Sequence, residues 1–409
     1  MSPWRCLRSP QFALWSGAHL VSNIGTWMQV VAQSLLVLHL TGSPALTGLT
    51  ASLQAAPGLM LGLAGGAAVD AWPRRLTAGM CQALLGLIAL ATAGLAALHL
   101  LNAGTLLALA VVTGVVATVD GPAVALLGND LVAPEDLPSA IALGSLATSL
   151  GRVVGTALAG LVIGLGGVCA AYLANGLSFL VVAAVVPLVR PLQCPDAADA
   201  AESTARVAGA GLSAGFRYLR SSRGLLGLLL VGGVTAVLGR NYSLAFAALV
   251  TGPLHGSSAD FGLVSAVLAA GAVAGAVVAA RLRSAAARRV AQLALVGAAL
   301  QVVAAGSAGV ATLLAVALPL AMVESVQDTL TGTLLQSRPP AHLRGRVYGA
   351  WQTASAAWTF VGPVGFGWLL EAWGARLGLA AGGLAIAVVA VGIRFVHLRW
   401  PVRMLVAPA

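Results

Sequence analysis

Long apolar runs alternate with short polar breaks along the whole chain. The runs fall near 12–39, 45–69, 76–98, 105–129, 137–165, 168–190, 224–250, 258–281, 289–309, 311–336, 346–372 and 377–398. Each is about 20 to 30 residues, enough for an α-helix to cross a bilayer core of roughly 30 Å. The pattern predicts an all-α membrane protein with twelve transmembrane helices. One long polar stretch, 191–222, interrupts it. This divides the chain into an N-terminal six-helix bundle (1–190), a cytoplasmic linker (191–222) and a C-terminal six-helix bundle (223–409). Near the linker's end Leu212, Phe216 and Leu219 fall on one helical face and arginines on the other, which predicts a short amphipathic helix.

Composition supports a lipid-embedded chain. Of 409 residues, 59% are hydrophobic and 8% charged, whereas a soluble domain carries about 25% charged residues. A soluble globular enzyme is excluded. The 50 glycines recur inside the apolar runs, where they let helices approach closely. A net charge of +10 would elsewhere suggest nucleic acid. Here the arginines lie between the runs, and no nucleic-acid partner is expected. A cytoplasmic N-terminus puts 19 of the 22 arginines on the cytoplasmic side, with Arg376 outside and Arg152 and Arg240 within spans. The positive-inside rule thus predicts both termini in the cytoplasm of a bacterial inner membrane. The first run is too long for a signal-peptide core and reads as a retained span.

The absence of lysine excludes a P-loop and any lysine Schiff base. Cys6, Cys81, Cys169 and Cys194 form no CxxC pair, and the six histidines have no metal-ligand spacing. No metal or cofactor is expected. The nucleophile-elbow pattern at Gly211–Gly215 sits in the linker with no strand before it, so no hydrolase is expected either.

The two halves repeat. Pro134 to Leu137 leads into a helix with Gly155 and Gly160, and Pro340 to Leu343 leads into one with Gly362 and Gly367, an offset of 206 to 207 residues. Two repeats around a midplane site are an alternating-access design. Several motifs accompany the repeat. Ser22–Gln29 reads SNIGTWMQ, and 40–57 reads LTGSPALTGLTASLQAAP. Gly66, Asp70, Arg74 and Arg75 follow a loop spacing, Gly151, Gly155 and Gly160 a helix spacing, and Leu343–Val347 reads LRGRV. In this order the chain resembles the major facilitator superfamily, and more narrowly its twelve-span drug, macrolide and siderophore exporters. It departs from that pattern at Ala71, Pro73 and Thr156, and has no arginine after Gly121-Pro122.

The resemblance implies that helices 1, 4, 7 and 10 surround a central cavity. It also implies a gating role for Gly66, Asp70, Arg74, Arg75, Gly151, Gly155 and Gly160. Five ionisable residues lie well inside spans: Asp120, Arg152, Arg240, Glu324 and Asp328. A charge there needs a partner or a wet cavity. By helical rise Asp120 lies about 15 Å and Arg152 about 22 Å from the cytoplasmic face, which predicts an Asp120–Arg152 pair. Arg240 and Glu324 come out near mid-depth and form a second expected pair. Glu324 and Asp328, one turn apart, resist joint ionisation; one of Asp120, Glu324 and Asp328 is expected to bind the coupling proton, and the nearby arginine, Arg152 or Arg240, to release it when the cavity switches. Asn23, Trp27, Gln29 and Gln33 on helix 1, with Trp351 and Gln352 on helix 11, are candidate substrate contacts. The expected function is proton-coupled export of a small amphipathic drug, antibiotic or metabolite by a monomer. A lipid flippase, an uptake facilitator and a non-transporting receptor or scaffold are the alternatives.

Overall fold

The computed structural model describes residues 5–190, 217–218, 220, 223–282, 286–337, 339 and 344–399. Of 62–71 only the helical backbone is described, so the expectations for the Gly66 and Asp70 contacts lie outside the described side chains. The linker positions Leu212, Phe216 and Leu219, and Leu343 before the last helices, also lie outside the described residues.

Eleven α-helices are described: α1 (Pro10–Thr41), α2 (Pro44–Ala71), α3 (Arg74–Ala97), α4 (Ala103–Asp130), α5 (Leu137–Val185), α6 (Arg223–Leu238), α7 (Tyr242–Thr251), α8 (Ser258–Arg281), α9 (Ala287–Ala305), α10 (Val310–Ser337) and α11 (Arg344–Arg399). Nine helical stretches among the described residues are long and apolar enough to cross a membrane. The chain is a multi-pass membrane protein. Two helices reverse direction partway. Gly167 in α5 (φ 71°) and Gly374 in α11 (φ 78°) adopt backbone angles that side-chain-bearing residues rarely reach.

Local chemistry marks the helix ends. The Ser9 hydroxyl accepts from the Phe12 amide, Pro10 opens α1, and Gly42 closes it in the left-handed region. Asn102 with Thr105 and Ser257 with Asp260 form reciprocal caps for α4 and α8. Large apolar residues such as Leu14, Met60, Leu165 and Val388 point outward. That surface suits hydrocarbon rather than water.

Helices α1–α5 pack on one another, as do α6–α11, and the two sets meet mainly through α2 against α11 and α5 against α8. These meetings cluster at one end. A Cβ placed on Gly160 would overlap the Gly262 backbone, and one on Gly48 would overlap Pro363. At the same end Glu371 of α11 accepts hydrogen bonds from the Ser43 hydroxyl and from the Ala45 amide at 3.0 Å. It thereby satisfies one of the free amides at the start of α2, that of Ala45, while the Leu46 amide bonds to Ser43 Oγ.

The opposite end holds Ser9 and the start of α3. There Arg74 forms a two-pronged ion pair with Asp130 at 3.1 Å, and Arg75 donates to the carbonyls of Val186 and Pro187. Both contacts stay inside the N-terminal set of helices and tie α3 to α4 and to the end of α5. Asp130→Asn is expected to destabilise the protein by about 2 kcal/mol, the scale of a lost charge-assisted hydrogen bond. A fall in the thermal unfolding midpoint of the purified protein checks this; an unchanged midpoint would refute it.

Candidate functional site

The expected seventh span is not one continuous helix. It breaks at Gly239–Asn241 between α6 and α7. The break frees backbone carbonyls that must find donors inside a membrane. The Asn241 amide donates to Val237 O at 2.9 Å and to Ala236 O at 3.3 Å. Gln301 on α9 donates to Leu238 O at 2.9 Å and to Leu379 O at 3.0 Å. The break is therefore satisfied by side chains on both sides, and it delivers Arg240 into the gap between the two sets of helices.

Arg240 donates from Nε to Glu324 Oε1 at 3.1 Å and from Nη2 to the Asp328 carboxylate. The Arg240–Glu324 pair expected from depth is present. Both carboxylates lie near the middle of α10, four residues apart. Across the gap Arg152 of α5 stands over the Trp27 ring, 5.8 Å from its centroid, within cation–π range. These five side chains share a cavity of about 290 Å³ with Tyr242 and with Ser243, Ser265 and Ser325. Apolar Leu268 and Ala269 complete one wall. Its charged groups are two arginines and two carboxylates, so opposite charges balance while each half contributes an arginine.

Asp120 is elsewhere, which corrects the expected Asp120–Arg152 pair. Its carboxylate accepts two bonds from Gln82 Nε2, at 3.0 and 2.9 Å. Helical rise fixes depth but not the direction a side chain faces. Asp120 faces α3 inside the N-terminal helices, whereas Arg152 faces the gap.

A second cavity of about 420 Å³ surrounds Asp120 within α1–α5. Asn23, Gln29 and Gln33 line this cavity rather than the inter-half one, and Trp27 alone of the four helix 1 candidates reaches the gap. Helix α1 thus shows its amides to one cavity and Trp27 to the other. The amides bond in pairs. Gln33 donates to Gln54 Oε1 at 3.0 Å and Asn175 to Gln29 Oε1 at 2.6 Å, while Asn23 Nδ2 lies 3.1 Å from His19 Nε2.

Trp351 and Gln352 line neither cavity. Trp351 meets Trp358 edge-on at 5.4 Å and covers Gly232 of α6, and Gln352 is exposed. The three helix-spacing glycines separate by role. Gly151 abuts Asn23 and Gly155 abuts Ile24, both on α1, while Gly160 meets α8 across the gap.

Sequence reasoning missed Gln82, Gln54, Asn175, Asp130 and Glu371. The first three were detectable as polar residues inside apolar runs. Asp130 and Glu371 sit at helix ends, where a carboxylate is unremarkable until its partner is known.

Charged groups from two helical halves, facing a cavity at a broken helix, define a membrane transporter. The chain belongs to the major facilitator superfamily: residues 1–404 match the family described as Transmembrane secretion effector. None of the curated proteins matches its sequence. Its fold is similar to that of solved transporters. A bacterial homologue of the human lysosomal transporter Spinster, inward-facing and unoccupied, superposes with a TM-score of 0.72 at 14% identity, covering 96% of this chain and 97% of that one. The nucleoside transporter NupG gives 0.72 at 11% identity, with 95% and 99% covered. A D-xylose–proton symporter gives 0.68 at 15%, with 95% and 97% covered.

Proposed function

We propose that this chain is a proton-coupled exporter of a small amphipathic molecule, working by alternating access. The observation that carries this reading is the inter-half cavity. Arg152 from one half faces Arg240, Glu324 and Asp328 from the other, beside the break between α6 and α7. A change in the charge of Glu324 or Asp328 alters how strongly the two halves attract there, which links proton uptake to rocking. Trp27, Tyr242 and Leu268 offer apolar area, and three serines offer hydrogen bonds. That combination suits an amphipathic drug, antibiotic or metabolite. Counting the reversals at Gly167 and Gly374 as turns, α6 with α7 as one broken span and α2 as a span supports twelve passes, with the half boundaries at 190 and 223. Arginine placement favours cytoplasmic termini in a bacterial inner membrane. In that orientation the glycine contacts close the outer face and the cavity is approached from the cytoplasm. The protein is proposed to act as a monomer.

Uptake is the second reading, because the solved neighbours include a protein described as a proton symporter. One experiment separates the two. The chain is expressed in a drug-sensitive bacterium lacking its main efflux pumps, and accumulation of antibiotics, dyes and siderophores is measured with and without an uncoupler. Several-fold lower accumulation of at least one compound, restored by the uncoupler, is expected. Raised accumulation would support uptake. Unchanged accumulation across the panel, with the protein present in the membrane, would overturn drug export.

A further inference from the structure

We infer that the cavity around Asp120 is a sodium-ion site, separate from the inter-half cavity proposed to carry substrate. Three features lead there.

The first is charge. Asp120 lies at mid-span in α4, where a lone carboxylate is costly without a positive charge nearby. No arginine lines its cavity among the described residues; both arginines near the gap line the other one. His19 is the remaining titratable group lining the Asp120 cavity, and it is held beside Asn23 and stacked on Trp15. With Asp120 ionised, the site therefore lacks one unit of positive charge. A single carboxylate matches a monovalent ion. No group of three His, Cys, Asp or Glu suited to a transition metal occurs among the described residues.

The second is the donor set. Besides Asp120, the cavity presents the side chains of Gln33, Gln54, Gln82 and Asn23, with hydroxyls from Thr26 and Thr113. A proton needs only the carboxylate. Neutral amide and hydroxyl oxygens are what replaces the water shell of a hard cation. The amide pairing uses Gln33 Nε2 and Asn23 Nδ2, which leaves Gln33 Oε1 and Asn23 Oδ1 outside these side-chain bonds.

The third is Gln82. It is 3% exposed, and its Oε1 has no hydrogen-bond partner although its Nε2 donates twice to Asp120. A buried orphan acceptor is costly. Turning the amide over would present Oε1 on the side of the Asp120 carboxylate. The two oxygens would then share an ion, while Nε2 would give up its bonds to Asp120 and turn to the side where Oε1 now lies.

Access is provided as well. A further cavity of about 290 Å³, reaching Phe12 and Asn129 at the Ser9 end of the bundle, shares His19, Val124, Ala125 and Thr148 with the Asp120 cavity. The two cavities adjoin at these residues, which places the ion's proposed route on the Ser9 side.

The test uses the purified full chain in lipid nanodiscs with no transport substrate. Binding of radioactive sodium is measured by proximity scintillation, and thermal stability is followed in sodium chloride against choline chloride at equal ionic strength. Saturable sodium binding is expected, with a stabilisation that choline does not give. Asp120→Asn is expected to abolish both, and Gln82→Leu to weaken binding at least tenfold. Glu324→Gln is expected to retain both. If a variant fails to fold, the wild-type binding measurement alone decides. Absence of saturable sodium binding, or a stabilisation that follows pH and is equal in sodium and choline, would overturn the inference. Because the readout needs no exported compound, its failure is distinct from failure of the export reading.

Discussion

Replacing Arg240 with glutamine is expected to reduce export to background and to destabilise the protein by about 2 to 3 kcal/mol. Arg240 neutralises two carboxylates at once, Glu324 and Asp328. Without it they face each other one turn apart on α10, with Arg152 across the cavity as the remaining cation lining it. Removing one partner of a fully buried ion pair costs about 3 to 5 kcal/mol. The lower figure is used because the cavity leaves the Glu324 and Asp328 side chains 22% and 40% exposed, and water there relieves part of the repulsion. Arg240→Lys is expected to recover only part of the stability, since an ammonium cannot span two acceptors as a guanidinium does.

A triple variant separates scaffold from mechanism. Arg240→Gln with Glu324→Gln and Asp328→Asn removes every charge in the cluster and leaves neutral groups able to hydrogen-bond. Its unfolding midpoint is expected to return close to the parent value while export stays at background. Recovery of both stability and export would mean that the cluster only locks α6, α7 and α10 together, and the coupling assignment would fall.

The parts of this molecule readable from sequence are those set by solvent. Apolar run length announced the helices, and intramembrane charge singled out Asp120, Arg152, Arg240, Glu324 and Asp328. Depth by helical rise brought Arg240 to Glu324 correctly because both side chains face the gap. The same arithmetic failed for Asp120 and Arg152. Their depths are close, but one faces α3 and the other faces the opposite half, and a hydrophobic span without a clear polar stripe does not reveal its rotation. The break at Gly239–Asn241 was hidden for a related reason. In a mostly apolar run, mean hydropathy is insensitive to three irregular residues, and one of the two side chains that satisfy the break, Gln301 of α9, lies about sixty positions later in the chain. Trp351 turns to a glycine neighbour, Gly232, rather than to either cavity, an orientation that residue type alone does not reveal.

Gly160→Leu is expected to prevent the two halves from closing at the Ser43–Glu371 end and to eliminate transport. At that crossing α5 and α8 meet backbone to backbone, and a Cβ on Gly160 would overlap Gly262 main-chain atoms that no rotamer change can move aside. Overpacking of this kind costs about 3 kcal/mol, enough to shift a two-state equilibrium by roughly 100-fold. The penalty falls only on the state in which this end is closed, so the protein is expected to remain folded but to populate the state in which the end is apart. Spin labels at Leu40 and Trp373, both exposed at this end, report the distance directly. It is expected to lengthen in Gly160→Leu and in Gly48→Leu, which strikes Pro363 across the other crossing. Gly94→Leu, where an added Cβ meets nothing within 4 Å, is expected to leave the distance unchanged. The polar contact at Glu371 is a weaker element of the same closure. Glu371→Gln retains an acceptor for the Ala45 amide and loses only the charge facing the start of α2, an effect of about 0.3 to 1 kcal/mol. A label distance that responds more to Glu371→Gln than to Gly160→Leu would show that the carboxylate, not the glycine crossing, holds this end shut.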